Sequence, residues 1–194
     1  MAEIHILADG YLRDPEGPDE GDRVGSTVGF VRDGAALIVI DPGMVASRED
    51  SILRPLAALG VAPADVTDVV ISHHHPDHTL NAALFANARV HDHWAIYHGD
   101  EWISRPAEGF ELSGDVALME TPGHTPQDIT TLVRTTGGIV AFTHLWWMAD
   151  GPAEDPVASD LSLLHLHRER VLGVAAEIVP GHGPRFVPGP ETPR

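Results

Sequence analysis

The chain has 194 residues and a formal charge of −17, from 29 acidic and 12 basic residues, and it contains no cysteine. Every basic residue is arginine, so a thiolate nucleophile, a disulfide framework, a Schiff-base lysine and a phosphate-loop lysine are excluded together. The acidic balance argues against nucleic acid or an anionic membrane as partner, while 13 histidines offer ligands for divalent cations that would relieve part of that charge.

Length and 43% hydrophobic content fit one globular domain over residues 1–194. No stretch approaches the ~18 apolar residues of a membrane span. The segment Met1–Gly10 lacks the basic and apolar regions of a leader, and the expectation is a soluble cytoplasmic protein.

In chain order, the pattern predicts strands over Glu3–Ala8, Ser26–Arg32 and Ala36–Asp41, separated by a polar loop at Arg13–Asp22 and a turn at Asp33-Gly34. Ser47, with Asp50 three residues on, predicts a capped helix through Leu59 that ends at Gly60. A helical turn at Pro63–Val66 leads into Asp68–Ser72, an apolar run of the buried-strand type. A helix over Thr79–Phe85 and a strand over Ala88–His91 follow. Further strands are expected at Val116–Glu120, Ile129–Arg134, Gly138–Phe142 and Glu177–Val179, with a helix over Asp160–Ala175 and a Pro-rich surface tail from Pro184 to Arg194. The order suggests two αβ halves with no linker, no repeat and no low-complexity segment.

Chemistry concentrates where the Asp68–Ser72 run empties into His73-x-His75-x-Asp77-His78, three imidazoles and a carboxylate within six residues. At this composition the pattern arises by chance about 0.005 times per shuffled sequence. Such ligands suit zinc, and also iron or manganese. His124 in Thr121-Pro-Gly-His-Thr-Pro126 and His182 in Val179-Pro-Gly-His-Gly183 stand in loops after apolar strands, and Gly138-Ile-Val-Ala-Phe-Thr-His144 again runs a strand into a histidine. Glycine and proline around these histidines let the backbone turn sharply at a strand end.

The ordered set Ile40-Asp-Pro-Gly43, His73-x-His75-x-Asp77-His78, Thr121-Pro-Gly-His124, Phe142-Thr-His144 and Pro180-Gly-His182-Gly183 resembles the metallo-β-lactamase-fold hydrolases over nearly the whole chain. Within that superfamily, Thr121–Asp128 and Val179–Pro184 look more like the group around metallo-β-lactamase domain-containing protein 1 than like the antibiotic-degrading enzymes. The resemblance implies an α/β fold, a four-layer αβ/βα sandwich with metals at one edge between two sheets. It implies a first metal on His73, His75 and His124, a second on Asp77, His78 and His182, and an orienting role for Asp41. Many members carry a metal-bridging Asp after the strand that here ends in Phe142-Thr-His144. A neutral imidazole offers one free lone pair to a metal and replaces a bridging carboxylate poorly. Either His144 binds a single metal, or the register differs by a residue and Asp150 serves instead.

A zinc ion with an open position brings the pKa of its water to about 7, so attack on an ester, thioester, lactone, amide or phosphoester needs no side-chain nucleophile. Asp77 is the candidate catalytic residue that orients or deprotonates the water. A small-molecule substrate is expected, and β-lactams are not, because antibiotic-degrading members usually act outside the cytoplasm. Alternatives are an iron-dependent sulfur dioxygenase, a nucleic-acid processing nuclease and a non-catalytic metal-binding domain. His74 has the wrong parity for a ligand and is expected to support the ligands. His91, His93 and His98, expected near a helix start, read as structural or pocket-lining, and His165 and His167 stay outside the site. Trp146 and Trp147 read as core or interface aromatics, with a pocket wall as the rarer role.

Overall fold

The computed structural model describes residues 1–15, 17 and 21–194. Strands β1 (Glu3–Ala8), β4 (Val28–Asp33), β5 (Ala36–Ile40), β6 (Asp68–Val70), β7 (Arg89–His91), β8 (Ala95–His98) and β9 (Glu101–Ser104) form one sheet in that order. Strands β10 (Val116–Glu120), β11 (Ile129–Thr135), β12 (Gly138–Thr143) and β13 (Glu177–Pro180) form a second, and β2 (Tyr11–Arg13) pairs with β3 (Arg23–Gly25) in a separate ribbon.

Period-2 alternation sorts the side chains into layers. Val31, Ile38, Ile40 and Val70 from the first sheet meet Leu118, Val133, Val140, Phe142 and Val179 from the second in a buried core between the sheets. The opposite faces carry Phe30, Val39 and Val69, which pack with Ile52, Leu56 and Phe85, and Ala141 and Ile178, which pack with Trp146, Leu164 and Val171. Helical segments therefore cover both outer faces: α1 (Arg54–Ala58) on the first sheet, α3 (Leu161–Leu172) on the second. This is the four-layer αβ/βα sandwich.

The strand directions bring several strand ends to one edge. Strands β5, β6 and β7 run parallel, β12 and β13 run parallel across α3, and β10 lies antiparallel to β11, which lies antiparallel to β12. The carboxyl ends of β5, β6, β10, β12 and β13 thus carry Asp41, the His73 loop, His124, His144 and His182. Backbone bonds stitch the two sheets together there: Ile129 N–H to Ser72 O at 2.9 Å and Thr27 N–H to Gly181 O at 2.8 Å.

Several local expectations change. The segment predicted as a Ser47–Leu59 helix splits into a π-turn at Glu49–Leu53 and α1, because Pro55 cannot donate to the carbonyl four residues back. Ser47 Oγ does accept from the Asp50 N–H, at 3.2 Å. The helix expected over Thr79–Phe85 starts earlier, as α2 (Pro76–Thr79) with Pro76 in its first turn, and a 3₁₀ turn at Ala82–Leu84 follows. The β8–β9 hairpin was not anticipated, and no helix starts near His98, which lies in β8. Its turn signal is Gly99-Asp100, with Gly99 at φ +60°. The expected Arg13–Asp22 loop is flanked by the β2 and β3 strands, and its residues 16 and 18–20 lie outside the described residues. The Pro-rich tail is tied down: Phe186 exchanges two 2.9 Å backbone bonds with Ile178, and Trp146 Nε1 donates to Pro193 O at 2.8 Å. Among the described residues, no helix is long and apolar enough to cross a membrane.

Candidate metal centre

The side chains of His73, His75, Asp77, His78, His124, His144 and His182 meet at the shared sheet edge. Among the described residues, three groups have ligating atoms all within 4.8 Å of one another: His73, His75 and His124; Asp77, His78 and His182; and His73, His78 and His144. The first two are the triplets implied by the family resemblance. His144 stands among the other rings, with centroids 4.1 Å from His124, 4.6 Å from His73 and 5.0 Å from His182. Asp150 is exposed and joins none of these groups.

Four rings have their tautomers assigned by what their Nδ1 atoms face. His78 Nδ1 donates to Asp41 Oδ2 at 2.8 Å, His124 Nδ1 to Asp155 Oδ2 at 2.6 Å, and His182 Nδ1 to the Gly25 carbonyl at 3.0 Å. Ser72 Oγ gives its proton to Asp41 Oδ2 at 2.6 Å and so accepts from His73 Nδ1 at 3.0 Å. In a neutral ring a protonated Nδ1 leaves Nε2 as a bare lone pair, and all four Nε2 lone pairs belong to the cluster. The Nε2 atoms of His73 and His78 are buried with no hydrogen-bond partner, as is His144 Nδ1. Asp77 Oδ2, an acceptor too, lies 3.4 Å from His78 Nε2 and 3.5 Å from His182 Nε2. Acceptors facing acceptors without protons between them are costly in a buried site.

A cation resolves that conflict. With zinc–nitrogen bonds of about 2.0–2.1 Å, tetrahedral geometry puts neighbouring nitrogens roughly 3.3 Å apart. His124 Nε2 lies 3.1 Å from His75 Nδ1, and His144 Nε2 lies 3.0 Å from His182 Nε2. The residues present therefore fit a divalent metal.

Electrostatics keeps most of these rings neutral. Burial, with the neighbouring rings adding to it, holds His73 and His144 well below the ordinary imidazole range. Burial also brings His182 down to about 4. For His78 burial acts downward, but the charge and hydrogen bond of Asp41 outweigh it and leave that ring raised. Asp155 is lowered: burial opposes its charge, and the His124 hydrogen bond and charge together with the bonds from Val157 and Trp147 outweigh this.

Two glycines permit the close approaches. A Cβ on Gly43 would lie 1.7 Å from the Asp77 carbonyl oxygen, and one on Gly181 would lie 2.3 Å from His144 Cδ2. Asp41 takes the unusual φ of +49°, and its Oδ1 accepts the Ser72 N–H at 2.7 Å. That conformation lets one carboxylate reach Ser72 and His78 together.

Other histidines fall outside the cluster. His74 Nε2 bonds Asp92 Oδ2 at 3.0 Å and its ring packs against Trp94, so it faces away from the ligands it was expected to support. His91 is buried against Asp68 at 2.8 Å, a structural role. His167 Nδ1 donates to Pro122 O at 2.6 Å, and His165 contacts the Arg194 carbonyl. Trp146 is core, whereas Trp147 lines a cavity of about 360 Å³ over the cluster. Its floor holds His75, Asp77, His124, His144 and His182, and its walls include Leu12, Val24, Met44, Trp147 and Val157. The sequence reading missed Asp155. Only its place in the loop after His144 and Trp147 hinted at it.

The model of the metallo-β-lactamase superfamily matches residues 21–189. The chain belongs to that superfamily. It is 35% identical over 191 residues to metallo-β-lactamase domain-containing protein 1 of Xenopus laevis, covering 94% of this chain and 80% of that protein. The human protein of the same name is 37% identical over 163 residues, with 77% of this chain and 59% of the human one covered. The chain thus spans about three fifths of the human relative. Among solved structures it is similar to a candidate metallo-β-lactamase of Thermotoga maritima, with TM-score 0.75, 22% identity and coverage of 96% and 99% of the two chains. It is also similar to an N-acyl homoserine lactone hydrolase solved with the product N-hexanoyl-L-homoserine at its catalytic metal centre, with TM-score 0.65, 19% identity and coverage of 93% and 92%. At these identities the structural likeness shows the fold. Membership and the His/Asp cluster together fit a metal-dependent hydrolase.

Proposed function

We propose that residues 1–194 form one metallohydrolase domain that holds one or two transition-metal ions, zinc foremost, and cleaves an uncharged acyl compound such as an ester, thioester or lactone. The observation that carries this reading is the set of converging lone pairs: four rings with Nδ1 already committed, and Asp77 facing two of them. His73, His75 and His124 would hold the first ion, and Asp77, His78, His144 and His182 the second. When bound, such an ion lowers the pKa of water to about 7 and polarises a carbonyl oxygen.

The chain's own residues supply the rest. Asp77 sits on the cavity floor, where its carboxylate orients the attacking water and accepts its proton, a task it shares with ligation. Leu12, Val24, Met44 and Val157 make an apolar wall that seats the hydrocarbon part of a substrate and excludes competing water. A net charge of −17 disfavours phosphodiester backbones, and the similarity to a lactone hydrolase supports an acyl substrate.

The test is elemental analysis of protein purified without chelator, followed by a panel of chromogenic esters, thioesters, lactones, β-lactams and phosphodiesters before and after chelation. Bound metal and chelator-sensitive acyl hydrolysis are expected, with β-lactam turnover below about 10⁶ M⁻¹s⁻¹. Absence of metal with no zinc uptake would overturn the reading. The assignment of His144 has its own check. His144→Ala should lower the stoichiometry by one ion with the first site still filled, and His144→Asp should restore it; an alanine variant that keeps both ions at full affinity would hand the role to another group.

A further inference from the structure

Asp155 is buried, and its two oxygens are fully engaged. Oδ2 accepts from His124 Nδ1 at 2.6 Å and from Trp147 Nε1 at 3.1 Å, while Oδ1 accepts from the Val157 N–H at 2.9 Å. Trp147 and Val157 are walls of the cavity, and His124 is part of its floor. One carboxylate therefore fixes a candidate metal ligand and two substrate-facing positions.

The loop that delivers Asp155 is braced from the far side. Arg168 of α3 is fully buried, and its guanidinium donates to the carbonyls of Leu145 at 2.9 Å and Pro152 at 2.8 Å, and to that of Ala153. Among the described residues no carboxylate pairs with it within 4 Å. A buried guanidinium bonded only to backbone is an expensive brace. Its three carbonyls flank both ends of the excursion between Leu145 and Asp155. The backbone of Trp147 is held as well, because its carbonyl accepts the His182 N–H at 2.7 Å. What freedom remains lies in the Trp147 ring and in the Asp155 carboxylate it shares with His124.

We propose that Asp155 is a positioning residue that couples Trp147 to His124, so that occupancy of the aromatic cavity wall is felt at the metal-ligating ring. A ligand resting on the indole shifts its N–H, and the shared oxygen passes that shift to the imidazole it orients. Trp147 is then the specificity-determining wall for the acyl part of the substrate. The kinetic side of this inference rests on the hydrolase reading above. The shared hydrogen bond does not, so the two can fail separately.

The test uses the full chain labelled with ¹⁵N, in which the indole N–H signals of the four tryptophans are followed. Trp147→Phe identifies the relevant signal. That signal should move in Asp155→Asn; because the His124 ring also stands edge-on to the indole, with centroids 6.4 Å apart, His124→Ala should move it more in the wild type than in the Asp155→Asn background. Zinc alone should move it in the wild type and not in Asp155→Asn, whose zinc affinity should fall about 10–100-fold. On a series of esters of rising acyl length, Trp147→Phe should raise KM about tenfold for the longer members while kcat changes far less. A Trp147 signal that ignores Asp155→Asn, or that His124→Ala moves equally with and without the Asp155 carboxylate, overturns the coupling. If zinc moves no signal and no ester is cleaved, yet His124→Ala still moves the Trp147 signal more in the wild type than in Asp155→Asn, the coupling stands and the hydrolase reading falls.

Discussion

In the N-terminal half of the molecule four candidate ligands share one six-residue segment, the loop after β6 and the first turn of α2, whereas in the C-terminal half His124, His144 and His182 leave three different strand ends. The loop is supported by neighbours in its own sheet: Asp41 at the end of β5 and Ser72 just after β6. The C-terminal rings are held from outside their own sheet, His124 by Asp155 in the loop before α3 and His182 by the Gly25 carbonyl of β3. The first set is therefore supported from within one sheet, and the second by groups outside its sheet, the loop before α3 and the β2–β3 ribbon. Metal binding is the step that should make the two equivalent.

That comparison can be broken most forcefully by removing the metal. Zinc at about a thousand times its dissociation constant should stabilise the fold by about 4 kcal/mol. For a chain of this size that is a rise in melting temperature of roughly 8–16 °C, read by thermal denaturation with and without chelator. In hydrogen exchange, chelation should speed residues 121–128 and 181–183 more than residues 73–78. Equal loss of protection in both places would show that the local loop has no organisation of its own.

A smaller effect separates the two kinds of support. Asp41 serves His78 directly and His73 through Ser72, one ring from each implied metal set, whereas Asp155 serves only His124. The single oxygen of an asparagine cannot accept from the Ser72 N–H, the Ser72 hydroxyl and His78 together. Asp41→Asn should thus weaken both ions about 10–100-fold, and Asp155→Asn only one, as measured by metal content after dialysis against graded chelator.

The smallest effect lies away from the metals, under the N-terminal sheet. Asp68 is buried, and although burial opposes its charge, bonds from His91, Thr67 and Arg89 outweigh this and lower its pKa. A depressed carboxylate contributes stability that is present above the unfolded value of about 3.9 and is lost as pH falls through the folded one. Asp68→Asn should therefore cost about 1 kcal/mol at neutral pH, and the gap to wild type should narrow below about pH 4. Denaturant titrations at pH 7 and pH 3.5 read this directly, and a gap that widens in acid would contradict the sign.

The sequence by itself carried the apolar runs of β1, β4, β5, β10, β11, β12 and β13, because strands covered on both faces, as β4, β5 and β12 are, write themselves as short apolar stretches bounded by turn residues. It also carried the candidate ligands, since histidine after an apolar run with glycine and proline beside it is a local signal. It carried the helical stretch at 47–59 but not the π bonding ahead of Pro55, it set the helix at 79–85 later than Pro76 starts it, and it missed the β8–β9 hairpin, whose edge strand is exposed throughout. Only the tertiary structure decided which acceptor sets each imidazole's tautomer, that His144 enters the cluster while Asp150 stays outside, and that His124 and Trp147 share an oxygen of Asp155. Those facts depend on contacts between segments far apart in the chain. A backbone carbonyl such as that of Gly25 has no residue-type signature, so no pattern in the sequence could announce it.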